Sequence, residues 1–162
     1  MTGVLSFEFR HGWCSLRLDA DGRRYTTRAT TLVNSFEFLL DALIDIAEGA
    51  NCASAIWAGE ASGTFIDLAV ATHETVAVVV HGMKYPDYVT ADAGWMPVRG
   101  RDEFALAVPF GRLWPGLAGE LDRIRREYAD DSGHMPHWGW PFPMLQFRRI
   151  EELAVRFGHE AE

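Results

Sequence analysis

The spacing of hydrophobic and polar residues divides the chain into short strands followed by longer helices. Over residues 5–10, hydrophobic side chains alternate with polar ones, a period of two that is typical of a half-buried strand. The same reasoning predicts strands at 13–18 and 23–32. Between them, the segment Asp19–Gly22 favours a tight turn, because Asp and Gly tolerate the backbone angles of a hairpin. The first 32 residues therefore predict three strands.

A helix is predicted next. Asn34 is a suitable N-cap, and Glu37 three residues later completes a capping box that would satisfy the free amides of the first turn. Acidic residues fall on one side of this helix and hydrophobic residues on the other, as expected of an amphipathic helix. Gly49 favours a left-handed end. The hydrophobic face consists of Phe36, Leu39, Leu40, Leu43, Ile44 and Ala47.

More strands follow this helix. Segments 53–59, 64–71 and 75–83 are rich in β-branched residues and have short turns between them, which predicts an antiparallel meander. Segment 84–102 has little periodicity, and an irregular connection of that length usually indicates a functional or mobile loop. Residues 103–110 predict a seventh strand.

Two further helices are predicted at 115–128 and 143–158, each with a hydrophobic stripe. Only one helix interrupts the strands, so the order favours an antiparallel sheet over a parallel α/β arrangement. We predict an α+β fold, with an antiparallel sheet of about six or seven strands and about three helices packed mainly on one face. Residues 1–162 are expected to form a single globular domain.

Composition limits the classes of protein that are possible. The chain has 162 residues, of which 48% are hydrophobic and 23% charged, as in globular proteins. Its longest apolar stretch is interrupted and falls short of the ~20 residues of a spanning helix, so no membrane association is expected. No secretory signal is visible, and a cytoplasmic location is the expectation. Cys14 and Cys52 are expected to be small buried residues, with a bridge between them as the alternative.

The formal net charge of −8 is concentrated in the middle of the chain. Residues 34–103 contain eleven acidic residues and three basic ones. Such a segment repels phosphate backbones, so nucleic-acid binding is not expected. It would attract a basic protein partner by electrostatic steering, and the alternative explanation is solubility alone.

The segment HMPHWGWPFP, residues 134–143, is the most unusual stretch of the chain. His134, His137, Trp138 and Trp140 are its candidate pocket residues. A metal would need further ligands from elsewhere, and neither a metal nor another cofactor is predicted. The prolines favour an extended run whose tryptophans cover one end of the core, and an aromatic binding platform is the alternative.

Candidate partner-binding residues lie in the irregular segment and just after it. Tyrosine, tryptophan and arginine are the residue types that dominate binding energy at protein interfaces. The alternative is that the aromatic side chains pack this segment onto the sheet. The candidates are Tyr85, Tyr88, Trp95, Arg99 and Arg101.

Three segments of the chain resemble a family of small uncharacterised actinobacterial proteins. They are NSFEFLLDALIDIAEG, AIWAGEASGTFIDL and HWGWPFPMLQFRRIEEL, within roughly residues 30–155. That family has a late W-G-x-P-F-P motif, which Trp138, Gly139 and 141–143 match. It usually has Pro-Gly where this chain has Ala61-Ser62, and a tyrosine before the tail tryptophan is missing here. The resemblance implies a fold and says little about function.

The layout is also similar in type to the immunity proteins of bacterial toxin systems, which are small, often acidic, α+β and non-enzymatic. Glycine-rich phosphate loops, a GxSxG elbow and an HExxH motif are missing from the sequence. We therefore hypothesise a non-catalytic protein-binding domain, with an immunity-like inhibitor of a basic toxin as one form of it. The alternative is a small-molecule-binding domain or enzyme with a histidine-lined pocket, which would draw on His11, His73, His81, His134 and His137.

Overall fold

The computed structural model describes residues 4–59, 63–84 and 98–158. Within these residues the predicted α+β class is confirmed, with three helices and nine strands, all paired antiparallel. The first strands are β1 (Leu5–Arg10), β2 (Trp13–Ala20) and β3 (Arg23–Thr30), followed by helix α1 (Ser35–Ala47). The next are β4 (Cys52–Ala58), β5 (Gly63–Thr72), β6 (Thr75–Lys84) and β7 (Val98–Pro109). The chain then forms α2 (Phe110–Tyr128), β8 (His134–Met135), β9 (Trp140–Pro141) and α3 (Met144–Gly158).

The strands do not form one sheet of six or seven, and that part of the prediction is wrong. They form a small sheet in the order β1-β2-β3, a large sheet in the order β4-β5-β6-β7, and the pair β8-β9. The reason is that β3 meets the large sheet through side chains instead of backbone hydrogen bonds. The hydroxyl oxygens of Thr27 and Thr64 lie 3.2 Å apart, and Tyr25 stacks on Phe104 of β7 with ring centroids 5.5 Å apart.

The two sheets and the helices enclose one hydrophobic core. Alternate residues of β1, β2, β5 and β6 point into it, so the period-two pattern in the sequence corresponds to burial. Helix α1 packs along β4, and α2 packs against both β1 and α3. The opposite, outer face of the large sheet carries exposed small residues such as Ala69, Ala105 and Ala107, so no helix in the described residues covers it. None of the described helices is both long and apolar enough to cross a membrane.

Strand β7 and helix α2 both begin five residues earlier than predicted, at Val98 and Phe110. The α2 start lies before Pro115, which sits inside the helix and removes one backbone hydrogen bond. Burial of hydrophobic side chains offsets the lost hydrogen bond, because these side chains recur at helical spacing from Phe110 onward. The Phe110 amide also donates to the Glu74 carbonyl at 2.8 Å, which holds the helix start against the β5–β6 turn. The buried residues of this stretch are Phe110, Leu113, Trp114 and Leu117.

The predicted capping box of α1 is wrong. Asn34 occupies the N-cap position, but its side chain makes no hydrogen bond to the helix amides. Its Nδ2 donates to Glu37 at 2.6 Å, and its Oδ1 accepts a hydrogen bond from the Trp138 indole at 3.1 Å. A local helix cap is therefore replaced by a long-range hydrogen bond between the start of α1 and the segment before α3.

The segment 134–143 is not extended throughout, contrary to the prediction. It folds back as β8 and β9, and the turn between them is closed by hydrogen bonds from the Trp138 and Gly139 amides to the Met135 carbonyl, at 3.0 and 2.7 Å. Gly139 has a φ of +87°, a conformation that favours glycine, and this allows the reversal. Trp138 is fully buried, with its ring centroid 5.6 Å from that of Phe9.

Candidate functional site

A groove runs between α1 and β4, at one edge of the large sheet. The Ser35 hydroxyl meets the Ala58 amide at one end, and the turn at Gly49 joins the helix to the strand at the other, so α1 and β4 run side by side in opposite directions. The groove has a volume of about 400 Å³. Its lining residues are Phe38, Asp41, Ala42 and Asp45 of α1 and Cys52, Ala53, Ser54, Ala55 and Ile56 of β4.

The backbone of β4 faces this groove. Among the described strands β4 pairs only with β5, and the Val70 amide donates to the Asn51 carbonyl at 3.0 Å. In an antiparallel pair, alternate residues point their amide and carbonyl groups away from the partner strand. The register therefore turns the backbone groups of Cys52, Ser54 and Ile56 toward the groove. They form no hydrogen bonds within the described residues, whereas the Ala58 amide, which faces the same way, donates to Ser35 Oγ at 3.1 Å.

The helix wall of the groove is acidic. Asp41 accepts a hydrogen bond from the neutral Gln146 amide at 2.9 Å, and neither Asp41 nor Asp45 forms an ion pair with any described arginine or lysine. By contrast, Glu48 one turn further on is paired with Arg149 at 2.7 Å. Phe38 lies one turn before Asp41 and is 48% exposed. The wall thus combines two uncompensated carboxylates with an accessible aromatic ring.

A polar network on the outer face of the large sheet adjoins the groove at Ser54. The Ser54 hydroxyl donates to Asp67 Oδ1 at 2.6 Å. The Arg99 guanidinium donates to both carboxylate oxygens of Asp67 at 2.7 Å each and covers the Phe65 ring, with 4.6 Å between Cζ and the ring centroid. Hydrogen bonding from Arg99, more than any other contact, lowers the pKa of Asp67.

His81 lies between two carboxylates of this network. Its Nε2 is 3.0 Å from Asp67, and its Nδ1 is 2.8 Å from Asp102. The second contact is short, but its direction does not satisfy a hydrogen bond. Because the Ser54 hydroxyl donates to Asp67 and not to His81, the network lacks the nucleophile–base hydrogen bond of a catalytic serine. It is an ion-pair network that holds β4, β5, β6 and β7 together.

The partner-binding candidates have different outcomes. Tyr85, Tyr88 and Trp95 lie outside the described residues. Arg99 is held by Asp67 and Ser54 on the outer face of the sheet, so its charge is already paired. Arg101 is exposed, and its side chain forms no ion pair or hydrogen bond within the described part of the chain.

The pocket candidates do not line one cleft. His134 and His137 are exposed, whereas Trp138 is 0% exposed and Trp140 donates from its indole to the Thr31 carbonyl at 3.0 Å. The His137 ring lies edge-on to His11, with centroids 6.2 Å apart.

The remaining histidines lie elsewhere, His73 in the β5–β6 turn and His81 on the outer face of the large sheet. The structure therefore does not gather the five histidines of the alternative hypothesis in one pocket. Within residues 4–59, 63–84 and 98–158, no group of three or more histidine, cysteine, aspartate and glutamate side chains could hold a metal ion.

The two cysteines are free and lie in different environments. Cys14 is fully buried in the small sheet, and burial raises the pKa of its thiol well above the usual value. Cys52 is exposed in the groove, so the expectation that both are buried is wrong for Cys52.

Comparisons with protein-family models, with curated proteins and with solved structures found no match for this chain. The resemblance to the actinobacterial family stays a prediction.

Proposed function

We propose that this chain is a non-catalytic protein-binding domain that takes a basic protein partner in the groove between α1 and β4. An immunity-like inhibitor of a basic toxin is the form of this function that we favour. The observation that carries the proposal is the acidic wall of Asp41 and Asp45, which no described basic residue neutralises.

Electrostatics supports a basic partner. All three acidic side chains of α2 are paired with arginines of the same helix, and Glu48, just after α1, is paired with Arg149. On α1, Glu37 is half-buried and accepts hydrogen bonds from Asn34 and Gln146, whereas Asp41 and Asp45 are exposed carboxylates that an incoming cation can reach. Unpaired surface charge of this kind mainly accelerates association and selects against acidic partners.

Shape supports a protein partner. The groove is open along its length, and Phe38 offers a half-exposed aromatic ring of the type that anchors protein interfaces. A cavity in the core, lined by aliphatic side chains, measures only about 10 Å³, which is too small for an organic ligand.

Photocrosslinking from Cys52 tests the proposal. Benzophenone-maleimide should label Cys52 selectively, because Cys14 is buried, and irradiation in lysate of cells that carry the gene should capture a basic protein. The double variant D41N/D45N should reduce the captured amount at least about tenfold, since both charges that attract the partner are removed.

The matched control is E8Q/E151Q, which removes two exposed carboxylates that do not line the groove and that form no ion pairs with described residues. It should capture as much partner as the unaltered chain. Capture of an acidic protein, or equal losses in the two double variants, would contradict the proposal.

A further inference from the structure

We infer that the partner enters the groove as an extended segment, which adds a strand to β4 and places basic side chains at alternate positions against α1. This inference rests on the proposed function, and it names the chemistry of the partner: an extended, basic peptide segment.

The first support is the orientation of the β4 backbone. Cys52, Ser54 and Ile56 each direct one amide and one carbonyl into the groove, without hydrogen-bond partners among the described residues. A row of alternating free donors and acceptors is what an extended chain can pair with, and strand addition to a sheet edge is a common mode of peptide recognition.

The second support is that the spacing of the two carboxylates on α1 matches the spacing of side chains along an extended strand. Asp41 and Asp45 are four residues apart on a helix, a rise of about 6 Å. Side chains at positions i and i+2 of a strand are about 7 Å apart and point the same way. Because α1 runs alongside β4, a strand added about 4.8 Å from β4 can offer one basic side chain to each carboxylate.

The third support concerns the identity of the occupant. A second copy of this chain would pair β4 with β4 and bring two sets of Asp41 and Asp45 together. Like charges facing each other across an interface are unfavourable, so self-pairing is opposed by the same residues that favour a basic segment. Phe38 beside Asp41 adds an apolar contact for the aliphatic stems of lysine or arginine.

A synthetic peptide of alternating arginine and valine, blocked at both ends, is the probe. We expect it to bind the unaltered chain and to bind D41N/D45N at least about tenfold more weakly in fluorescence anisotropy at low salt. Two N-methylated forms of this peptide provide the decisive comparison. One carries the methyl groups on the arginine amides and the other on the valine amides, so composition and charge are identical.

In an added strand only one of these two sets of amides faces β4. One isomer should therefore lose at least about tenfold in affinity, while the other stays within about twofold of the unmethylated peptide. Equal affinities of the two isomers would overturn strand addition. So would failure of all three peptides while crosslinking at Cys52 still captures a basic protein, and in that case the proposed function stands. Loss of the crosslink as well would overturn both.

Hydrogen exchange gives an independent readout on the unaltered chain. The amides of Ser54 and Ile56 should exchange fast in the free chain and become at least about tenfold slower when the arginine–valine peptide is added. Unchanged exchange at saturating peptide would overturn strand addition. Sedimentation of the chain as a dimer that the peptide dissociates would also overturn it, because the occupant would then be a second copy.

Discussion

Strands β1 and β4 each form an edge of a sheet, and the outward backbone groups of the two strands have different hydrogen-bond partners. At β1, the Phe7 amide donates to Glu120 Oε1 at 2.7 Å and the Phe7 carbonyl accepts from Arg123 at 2.6 Å, so at Phe7 side chains of α2 take the place of a neighbouring strand. At β4, the side chain of Ser35 satisfies only the Ala58 amide, at the far end of the strand.

The difference lies in the residues that the adjacent helix presents to the edge. Helix α2 offers an acceptor and a donor, Glu120 and Arg123, which are also paired with each other at 2.7 Å. Helix α1 offers two carboxylates, Asp41 and Asp45, which can accept hydrogen bonds but cannot satisfy a backbone carbonyl. A closed edge protects against unwanted pairing, and an open edge beside like charges selects the partner that can pair with it. The first edge thus serves stability, and the second is suited to recognition.

Removing the side-chain acceptor that α2 provides to β1 should have the largest effect on the free energy of unfolding. Glu120 is only 12% exposed, and E120A would leave the Phe7 amide without its acceptor and remove one of the two carboxylates paired with Arg123. We expect a loss of about 2 kcal/mol in the free energy of unfolding, measured by urea denaturation near neutral pH.

The variant E120Q should lose less, because its side-chain carbonyl still accepts from Phe7. D41A, at the open edge, should change stability by no more than about 0.5 kcal/mol. Similar losses in E120A and D41A would mean that the two edges do not differ as described.

Removing the one cap on β4 should have a smaller effect. Ser35 is fully buried, and S35A takes away the acceptor of the Ala58 amide. We expect a loss of about 1 kcal/mol, because a single neutral hydrogen bond is removed.

Hydrogen exchange can locate this effect. The Ala58 amide should exchange faster in S35A, while the amides of Ser54 and Ile56 should not change. Faster exchange along the whole strand would show that Ser35 holds the entire edge and not only its end.

Sequence patterns predict the elements of this fold better than their assembly. The period of two in β1 and the helical spacing in α1 predicted those elements correctly, because burial of one face imposes the pattern locally. The early start of α2 is not predicted, because proline is favoured in the first turn of a helix and Pro115 therefore resembles a start, although the hydrophobic spacing from Phe110 is already helical. The division into two sheets was missed because β3 meets β7 through side chains, and no local pattern distinguishes that contact from strand pairing.

The candidate site was predicted less well, for the same reason. The acidic side of α1 was visible in the sequence, but that β4 is an edge strand depends on the order of the whole sheet. The capping box failed because Trp138, distant in sequence, takes the Asn34 oxygen. His81, Asp67 and Asp102 come together only through the registers of β5, β6 and β7, and the pairing of β6 with β7 shifts at His81.

The smallest expected effect concerns the network next to the open edge, which ties Ser54 of β4 to the rest of the sheet. The pKa of Asp67 lies below its ordinary value of 3.8, chiefly because Arg99 donates hydrogen bonds to its charged form. The folded chain therefore binds this proton less readily than the unfolded chain does. Its stabilising contribution is complete above the unfolded pKa and is lost as pH falls through the folded one.

Near neutral pH, D67N should lower the free energy of unfolding by less than about 1 kcal/mol, because Arg99 is half exposed and solvent screens the pair. The difference between D67N and the unaltered chain should shrink as pH falls below 3.8 in urea denaturation, and it should also shrink in concentrated salt. A difference that stays constant with pH would mean that Asp67 acts through packing instead of charge. In that case the network would hold β4 in place without electrostatics, and the two edges would differ only in their backbone hydrogen bonds.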